Sequence, residues 1–255
     1  MSALTIDRDA WLSTTMGREV FRMEVAAREA GRGLTGAELG ELEVHARRGG
    51  PAMYFAKVGT QDVGIVRDLS RAGFYVVDVS VTFALEAGAM LPAGRLAADI
   101  GVSQARREEA EAVLAIAGSC FRYSRFHQDP ALPRELADRV KREWIANYVR
   151  GARGDALLAG RSGSIPAGFL AALRTREDSR EVAVIDLVGV DPRHQGRGVG
   201  RALVDAFLAR YSGSCHLFRV GTQAANVPSI RLYEGAGFRV ERCQYVLHRH
   251  VGAKA

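Results

Sequence analysis

The sequence predicts an α/β fold: a mixed, twisted sheet flanked by helices, with a smaller N-terminal αβ domain. Three observations predict it. Apolar or alternating runs such as Val20–Val25, Ile165–Arg174 and Glu181–Val190 are interleaved with stretches whose apolar residues recur at helical spacing. The run Ile185–Phe207, IDLVGVDPRHQGRGVGRALVDAF, passes from an apolar strand through a basic glycine-rich turn into an amphipathic helix. One Gly/Pro/Ala segment, Gly88–Gly94, separates two patterned blocks and sets expected domains at 1–90 and 95–250.

In the first block, Val20–Val25 alternates as a strand does. Thr35–Arg48 places Leu39, Leu42 and Ala46 on one helical face, with Thr35 and Glu38 as a capping box and Gly49-Gly50-Pro51 as its stop. A strand at Ala52–Val58, a helix at Gln61–Ala72 and a long strand at Phe74–Leu85 follow. The junction Arg71-Ala72-Gly73-Phe74 is similar to Glu234-Gly235-Ala236-Gly237-Phe238, each leading into a long strand. This pair reads either as a weak internal repeat, the first block being a partial copy of the second, or as ordinary helix-ending chemistry.

In the second block the expected order is a strand at Arg95–Val102, a helix at Gln104–Ala117, and a helix from Pro133 to Arg150 carrying Leu136, Val140, Trp144 and Tyr148. Strands at Ala156–Arg161, Ile165–Arg174 and Glu181–Val190 come next, with a polar hairpin tip at Thr175–Ser179. Leu217–Thr222 and Arg239–Leu247 complete the sheet.

Composition narrows the function. The 255 residues carry a formal net charge of +6, scattered along the chain without a basic tail or an aromatic-interleaved stripe, so no nucleic-acid partner is expected. Cys120, Cys215 and Cys243 are odd in number and far apart, with no CxxC pair, which reads as reduced thiols with neither metal site nor disulfide frame. No apolar run approaches the roughly 18 residues of a membrane span, and the first residues lack the apolar core of a signal peptide, so a cytoplasmic chain without a membrane partner is expected.

The turn Gln195-Gly196-Arg197-Gly198-Val199-Gly200-Arg201 reads as an anion cradle. Alternate glycines keep Cβ atoms off the backbone, two arginines supply charged donors, and the helix that follows turns its N-terminal N–H groups toward the loop. No lysine follows the glycines as a P-loop requires, and Cys215–Arg219 lacks the acidic residue of a dinucleotide-binding turn. The Gln/Arg-x-x-Gly-x-Gly/Ala pattern instead resembles motif A of the GCN5-related N-acetyltransferases (GNAT). Leu187–Pro192 is similar to that family's central strand, and Asn226-x-x-Ser229-x-x-x-Tyr233-x-x-x-Gly237-Phe238 to its motif B.

The resemblance implies the GNAT fold and acetyl-CoA as co-substrate, with its pyrophosphate on the cradle and its pantetheine arm against freed backbone of Val188, Gly189 and Val190. It implies that the Val190 N–H donates to the thioester oxygen and that Tyr233 is the general acid. Gly189 is expected to make room for the ligand, the alternative being a bulge, and Asn226 to pair with the pantetheine, to cap its helix, or both. For the base, Asp78 is a lone carboxylate in an apolar strand; Asp186, His127 and solvent are its rivals. A non-catalytic acyl-CoA-binding module is the other reading, and Tyr233 discriminates, since a binder needs no acid.

Arg122, Arg125 and His127, ahead of a helix, are expected to hold a second anion, the alternative being a solvated connection. Ser124-Arg125-Phe126, the Trp144-Ile145 helix ending at Val149-Arg150-Gly151, and Val220–Ala224 resemble the branch of the family that acetylates the amine of a dTDP-linked deoxysugar. The aromatic pair expected near Thr14–Gly17 is missing. The expected partner is thus a small-molecule amine, a dTDP-amino sugar first and another amine or a protein N-terminus second; a homodimer is compatible with the sequence.

Overall fold

The computed structural model describes residues 4–26, 28–29, 31–48, 50–88 and 100–252. In chain order the elements are β1 (Leu4–Arg8), α1 (Ala10–Met16), β2 (Glu19–Val25), α2 (Gly36–Arg48), β3 (Ala52–Gly59), α3 (Val63–Arg71), β4 (Tyr75–Glu86), β5 (Ile100–Gln104), α4 (Ala110–Ala117), α5 (Arg125–Gln128), α6 (Arg134–Val149), β6 (Ala156–Ser162), β7 (Ile165–Glu177), β8 (Arg180–Val190), α7 (Val199–Tyr211), β9 (Leu217–Gln223), α8 (Val227–Gly235) and β10 (Arg239–Val251). The chain divides into two compact units, the first from 1–80, 123–136 and 242–255, the second from 81–122 and 137–241. Each is assembled from separated stretches of chain.

In the first unit the strand order is β1-β2-β3-β10-β4, with β1–β2 and β3–β10 antiparallel and β2–β3 parallel. Leu42 of α2 and Leu69 of α3 pack with Met23, Tyr54 and Leu247 of the sheet and with Phe74 just before β4 into a core. The α2 start is the expected capping box: the Thr35 N–H donates to Glu38 Oε2 at 2.8 Å and the Glu38 N–H to Thr35 Oγ1 at 3.3 Å. The N-terminal β1 and α1 lay outside the sequence reading. Strand β1 is only five residues long, and α1 is a seven-residue helix held by its ends, where the Asp9 carboxylate accepts the Leu12 N–H and Gly17 closes it at φ 67°.

The second unit follows the order β4-β9-β8-β7-β6-β5, with β8–β9 parallel and β8–β7–β6–β5 antiparallel. Helix α7 buries Val199, Leu203, Phe207 and Tyr211. On α4 and α6, Val113, Ala117, Ile145 and Tyr148 pack with Leu157 and Phe169. The architecture is the mixed α/β arrangement the sequence predicts.

Several boundaries differ. The expected helix at 104–117 begins later, because β5 continues to Gln104 and a single 3₁₀ turn, closed by the Arg106 N–H donating to Glu109 Oε2 at 2.8 Å, precedes α4. The hairpin tip contracts to Asp178-Ser179, both at positive φ (45° and 70°), which matches the twist of a tight two-residue connection. Strand β10 continues to Val251, opposite Ala52, rather than ending at Leu247. Of the expected linker only Gly88 falls among the described residues, and 95–99 of the expected strand lie outside them.

Candidate active site

Strand β8 pairs with β9 from Val182↔Leu217 to Ile185↔Val220, although both strands run on, to Val190 and Gln223. On its other side β8 stays paired to β7 as far as Gly168↔Val190, with a register shift that leaves Asp186 as the extra residue between the rungs of Ile185 and Leu187. A bulge bends and twists its strand. Here it coincides with the end of the β8–β9 ladder, so the β8 edge beyond Ile185 opens.

Residues on that edge follow from alternation. The Asp191 N–H donates to Ala167 O at 2.9 Å, toward β7, so the backbone groups of Val190 and Val188 face the open side and those of Gly189 face β7. Val190 O accepts from Gln195 Nε2 at 3.2 Å, which folds the loop back onto the strand end.

The bulge is anchored through its side chain. Asp186 Oδ2 accepts from Trp144 Nε1 at 2.8 Å, Tyr148 OH at 2.7 Å and Arg153 Nε at 2.8 Å, and Oδ1 accepts from Arg153 Nη2 at 3.0 Å. Burial works to raise its pKa, yet these donors, Arg153 foremost, hold it below the usual carboxylate range. A carboxylate so committed is a poor proton acceptor. Asp186 is thus a positioning group that ties α6 to β8, and not the rival base of the sequence reading.

The glycine-rich loop takes backbone that only glycine adopts readily. Gly196 lies at φ 74° and Gly198 at φ 86°, the latter as the N-cap of α7. Val199 and Gly200 then open the helix, Val199 buried and Gly200 set so that a Cβ would lie 3.3 Å from Leu232 Cδ2 of α8. The Arg197 side chain is exposed at the loop. Arg201 is engaged elsewhere: Nε donates to both Asp205 oxygens at 2.7 and 2.9 Å and Nη1 to Gly235 O at 2.8 Å. Left-handed glycines, N–H groups at a helix start and a neighbouring open strand edge together fit a diphosphate-bearing ligand with an extended arm.

Gly189 corrects an expectation about its cause. A Cβ there would lie 2.7 Å from both Cys120 Sγ and Phe169 Cε1, so the protein's own packing already calls for glycine. Burial pushes the Cys120 thiol up to about 12, which leaves it a packing group.

Tyr233 is buried, its ring 5.9 Å from that of Phe83 and 6.1 Å from that of Phe238. Burial drives its pKa upward, with a hydrogen bond to the Ser229 side chain pulling the other way, so the phenol keeps its proton at neutral pH. Asn226 caps α8, its Oδ1 accepting the Ser229 N–H at 3.3 Å.

The remaining expected residues divide between the units. Arg122 is exposed in the second unit, whereas Asp78, Arg125 and His127 belong to the first. Asp78 is buried, and burial raises its carboxyl to about 6 against the Val79 N–H and the charges of Lys57 and Arg125. Arg125 stacks 3.8 Å above the Phe55 ring, with Nη1 3.4 Å from His248 Nε2; burial pushes its pKa down to about 10, which leaves it charged. His127 Nδ1 lies 2.6 Å from Ser124 Oγ.

One cluster in the first unit escaped the sequence reading. Asp129 Oδ2 meets His248 Nδ1 at 2.6 Å and His250 Nε2 at 2.8 Å, while Oδ1 accepts from Tyr75 OH at 2.6 Å and the Ala131 N–H at 2.9 Å. A His-x-His pair on a strand was the available signal, but the strand was expected to stop at Leu247, before both histidines.

Comparison with known proteins agrees with this geometry. Residues 111–238 match the acetyltransferase (GNAT) family. The spore coat polysaccharide biosynthesis protein SpsD of Bacillus subtilis is 32% identical over 148 residues, 58% of this chain and 50% of that protein, so the chain spans about half the length of this relative. The dTDP-fucosamine acetyltransferase of Escherichia coli is 29% identical over 197 residues, 76% of this chain and 80% of that one. A GCN5-related N-acetyltransferase from Sphaerobacter thermophilus superposes with a TM-score of 0.67 at 15% identity, covering 99% of this chain and 78% of that chain, a likeness of fold. The open β8 edge, the left-handed glycine turn and the family match converge: the chain belongs to the acetyltransferase (GNAT) family.

Proposed function

We propose that the chain transfers an acetyl group from acetyl-CoA to the primary amine of a dTDP-linked amino-deoxysugar. The observation that carries the chemistry is the β8 edge beyond Ile185, open beside the start of α7. Bound there, acetyl-CoA supplies an activated acetyl thioester. The N–H groups of the 196–200 turn, with Arg197 at its rim, would hold the diphosphate. Val188 and Val190 would hold the arm as a neighbouring strand does, and the outward N–H of Val190 is the donor suited to the oxygen on which charge builds.

Tyr233 is the proposed acid for the departing thiolate, since its buried phenol is protonated at neutral pH. Asp78, with a carboxyl near 6, is the proposed acceptor for the amine's proton. The acceptor sugar is supported by the relative from Escherichia coli, whose name specifies dTDP-fucosamine and which aligns over most of both chains.

The test is release of free thiol from acetyl-CoA with a panel of dTDP-amino sugars, peptides and simple amines. Turnover with dTDP-amino sugars at a KM well below that for simple amines supports the reading. Turnover confined to peptides would replace it with protein acetylation.

A further inference from the structure

We propose that Arg18, Arg125 and His250 form an anion pocket in the first unit that takes a phosphate group. The inference deepens the proposed acceptor and rests on it only for which phosphorylated molecule arrives.

Asp129, His248 and His250 bring three potential metal ligands within 4.8 Å of one another. Their hydrogen bonds argue against a cation. The donors around Asp129 hold its carboxyl far below the usual range despite burial, so it is an ionised acceptor and the imidazole nitrogens facing it carry protons. With Nδ1 of His248 turned to Asp129, its other nitrogen, Nε2, is left bare if the ring is neutral. Burial lowers His248 to about 4, so its ring is neutral, and Nε2 faces Arg125. A metal would have to displace both short contacts and settle beside two guanidinium groups.

The unmet hydrogen bonds point to an anion instead. Arg18 lies within electrostatic reach of Asp129 and Tyr75, and its Nε and Nη2 are buried without a hydrogen-bond partner among the described residues. These two N–H groups form one edge of the guanidinium fork, the edge that grips two oxygens of a phosphate at once. His250, with only 8% of its side chain exposed, has Nδ1 buried and unpartnered among the described residues, and its ring stacks 6.3 Å from that of Tyr75. Among the described residues Arg125 has no ion pair, and its guanidinium lies over Phe55 and Phe126.

The negative charge nearby does not cancel this. Asp129 is already surrounded by four donors, and Asp9 and Asp78 act on Arg125 only through space. A phosphate would take both free Arg18 donors. The unpartnered His250 Nδ1, on the ring whose Nε2 meets Asp129 at 2.8 Å, would be the third polar contact to that group.

The experiment is calorimetric titration of the full chain, saturated with CoA so that the 196–200 turn is filled, with inorganic pyrophosphate, dTDP and Zn²⁺ on the wild type, Arg18→Gln and His250→Asn, with acetyl-CoA titrated into the CoA-free proteins as control. The expected result is binding of pyrophosphate and dTDP that weakens at least tenfold in either variant while acetyl-CoA affinity is unchanged. Wild-type protein that binds neither anion, variants that bind both as the wild type does, or Zn²⁺ binding lost in His250→Asn without any anion binding would each overturn the pocket. The two readings separate cleanly. Acetylation of a dTDP-amino sugar with an unchanged KM in Arg18→Gln removes the pocket and leaves the proposed function, whereas pyrophosphate binding lost in Arg18→Gln without any dTDP-sugar turnover does the reverse.

Discussion

Ile185 and Val220 form the last rung of the parallel β8–β9 ladder, and the bulged residue Asp186 follows immediately on β8. One residue thus ends the pairing on one side and shifts the register on the other. Its carboxylate, 10% exposed, is held by Trp144, Tyr148 and Arg153, so the opening of the strand edge is fixed from the α6 side.

Asp186→Asn removes the charge that these donors share and turns an amide N–H toward at least one of them. Leaving buried polar groups mismatched costs about 1–3 kcal/mol. The expected outcome is a lower Tm together with a raised Kd for acetyl-CoA, since the strand edge would lose its fixed geometry. The stabilisation by Asp186 has a pH sign: its folded pKa lies below the unfolded value, so the contribution is present above the unfolded pKa of about 3.9 and fades as pH falls through the folded one. A variant with wild-type Tm and acetyl-CoA affinity would show that the bulge stands without it.

Gly198 lies at φ 86° at the start of α7, where a side chain would be strained by about 1–2 kcal/mol. Gly198→Ala is expected to lower stability by that order and to raise the KM for acetyl-CoA, because the N–H groups of the first turn would be re-aimed. Gly196→Ala, at φ 74° in the same turn and with nothing within 4 Å of an added Cβ, is expected to act in the same direction. An unchanged KM for acetyl-CoA in both variants would show that the turn does not hold the ligand. Thermal melts and steady-state kinetics on both variants decide it.

The glycine turn, the α7 face and the order of strands around them were legible in the sequence because each is a local pattern: alternation, helical period and residues tolerant of positive φ. What stayed hidden depends on partners distant in the chain. Asp186 reads as a rival base on the strand before the glycine turn until Trp144, Tyr148 and Arg153 are brought to it. Gly189 reads as space for a ligand until Cys120 and Phe169 are seen filling it. The Asp129–His248 contact joins positions 119 residues apart, and no periodicity carries that information.

Tyr233→Phe removes a hydroxyl from a ring that packs between Phe83 and Phe238. The ring contacts survive, so the fold is expected to tolerate the change. If the hydroxyl delivers the proton to the thiolate, turnover should fall by about 10²–10⁴, the usual contribution of a positioned acid, with acetyl-CoA affinity little changed. A drop confined to KM would instead assign Tyr233 to packing beneath the ligand.

Asp78→Asn separates catalysis from stability by opposite signs. Burial raises the Asp78 carboxyl from its ordinary 3.8 to about 6 in the folded chain, so the folded state binds this proton more tightly than the unfolded one. Stability therefore declines as pH rises from about 4 to 6, and above that window the ionised carboxylate is a constant cost of about 1–3 kcal/mol. The asparagine variant carries no such charge, and its Tm at pH 7–8 is expected to exceed that of the wild type, with the difference vanishing near pH 4. Activity should move the other way. A base with a pKa near 6 makes kcat/KM climb through pH 6 in the wild type, and Asp78→Asn should lower the plateau and abolish that limb. If the variant is more stable yet keeps the limb at pH 6, Asp78 is a buried charge with no part in proton transfer, and another group accepts the amine's proton.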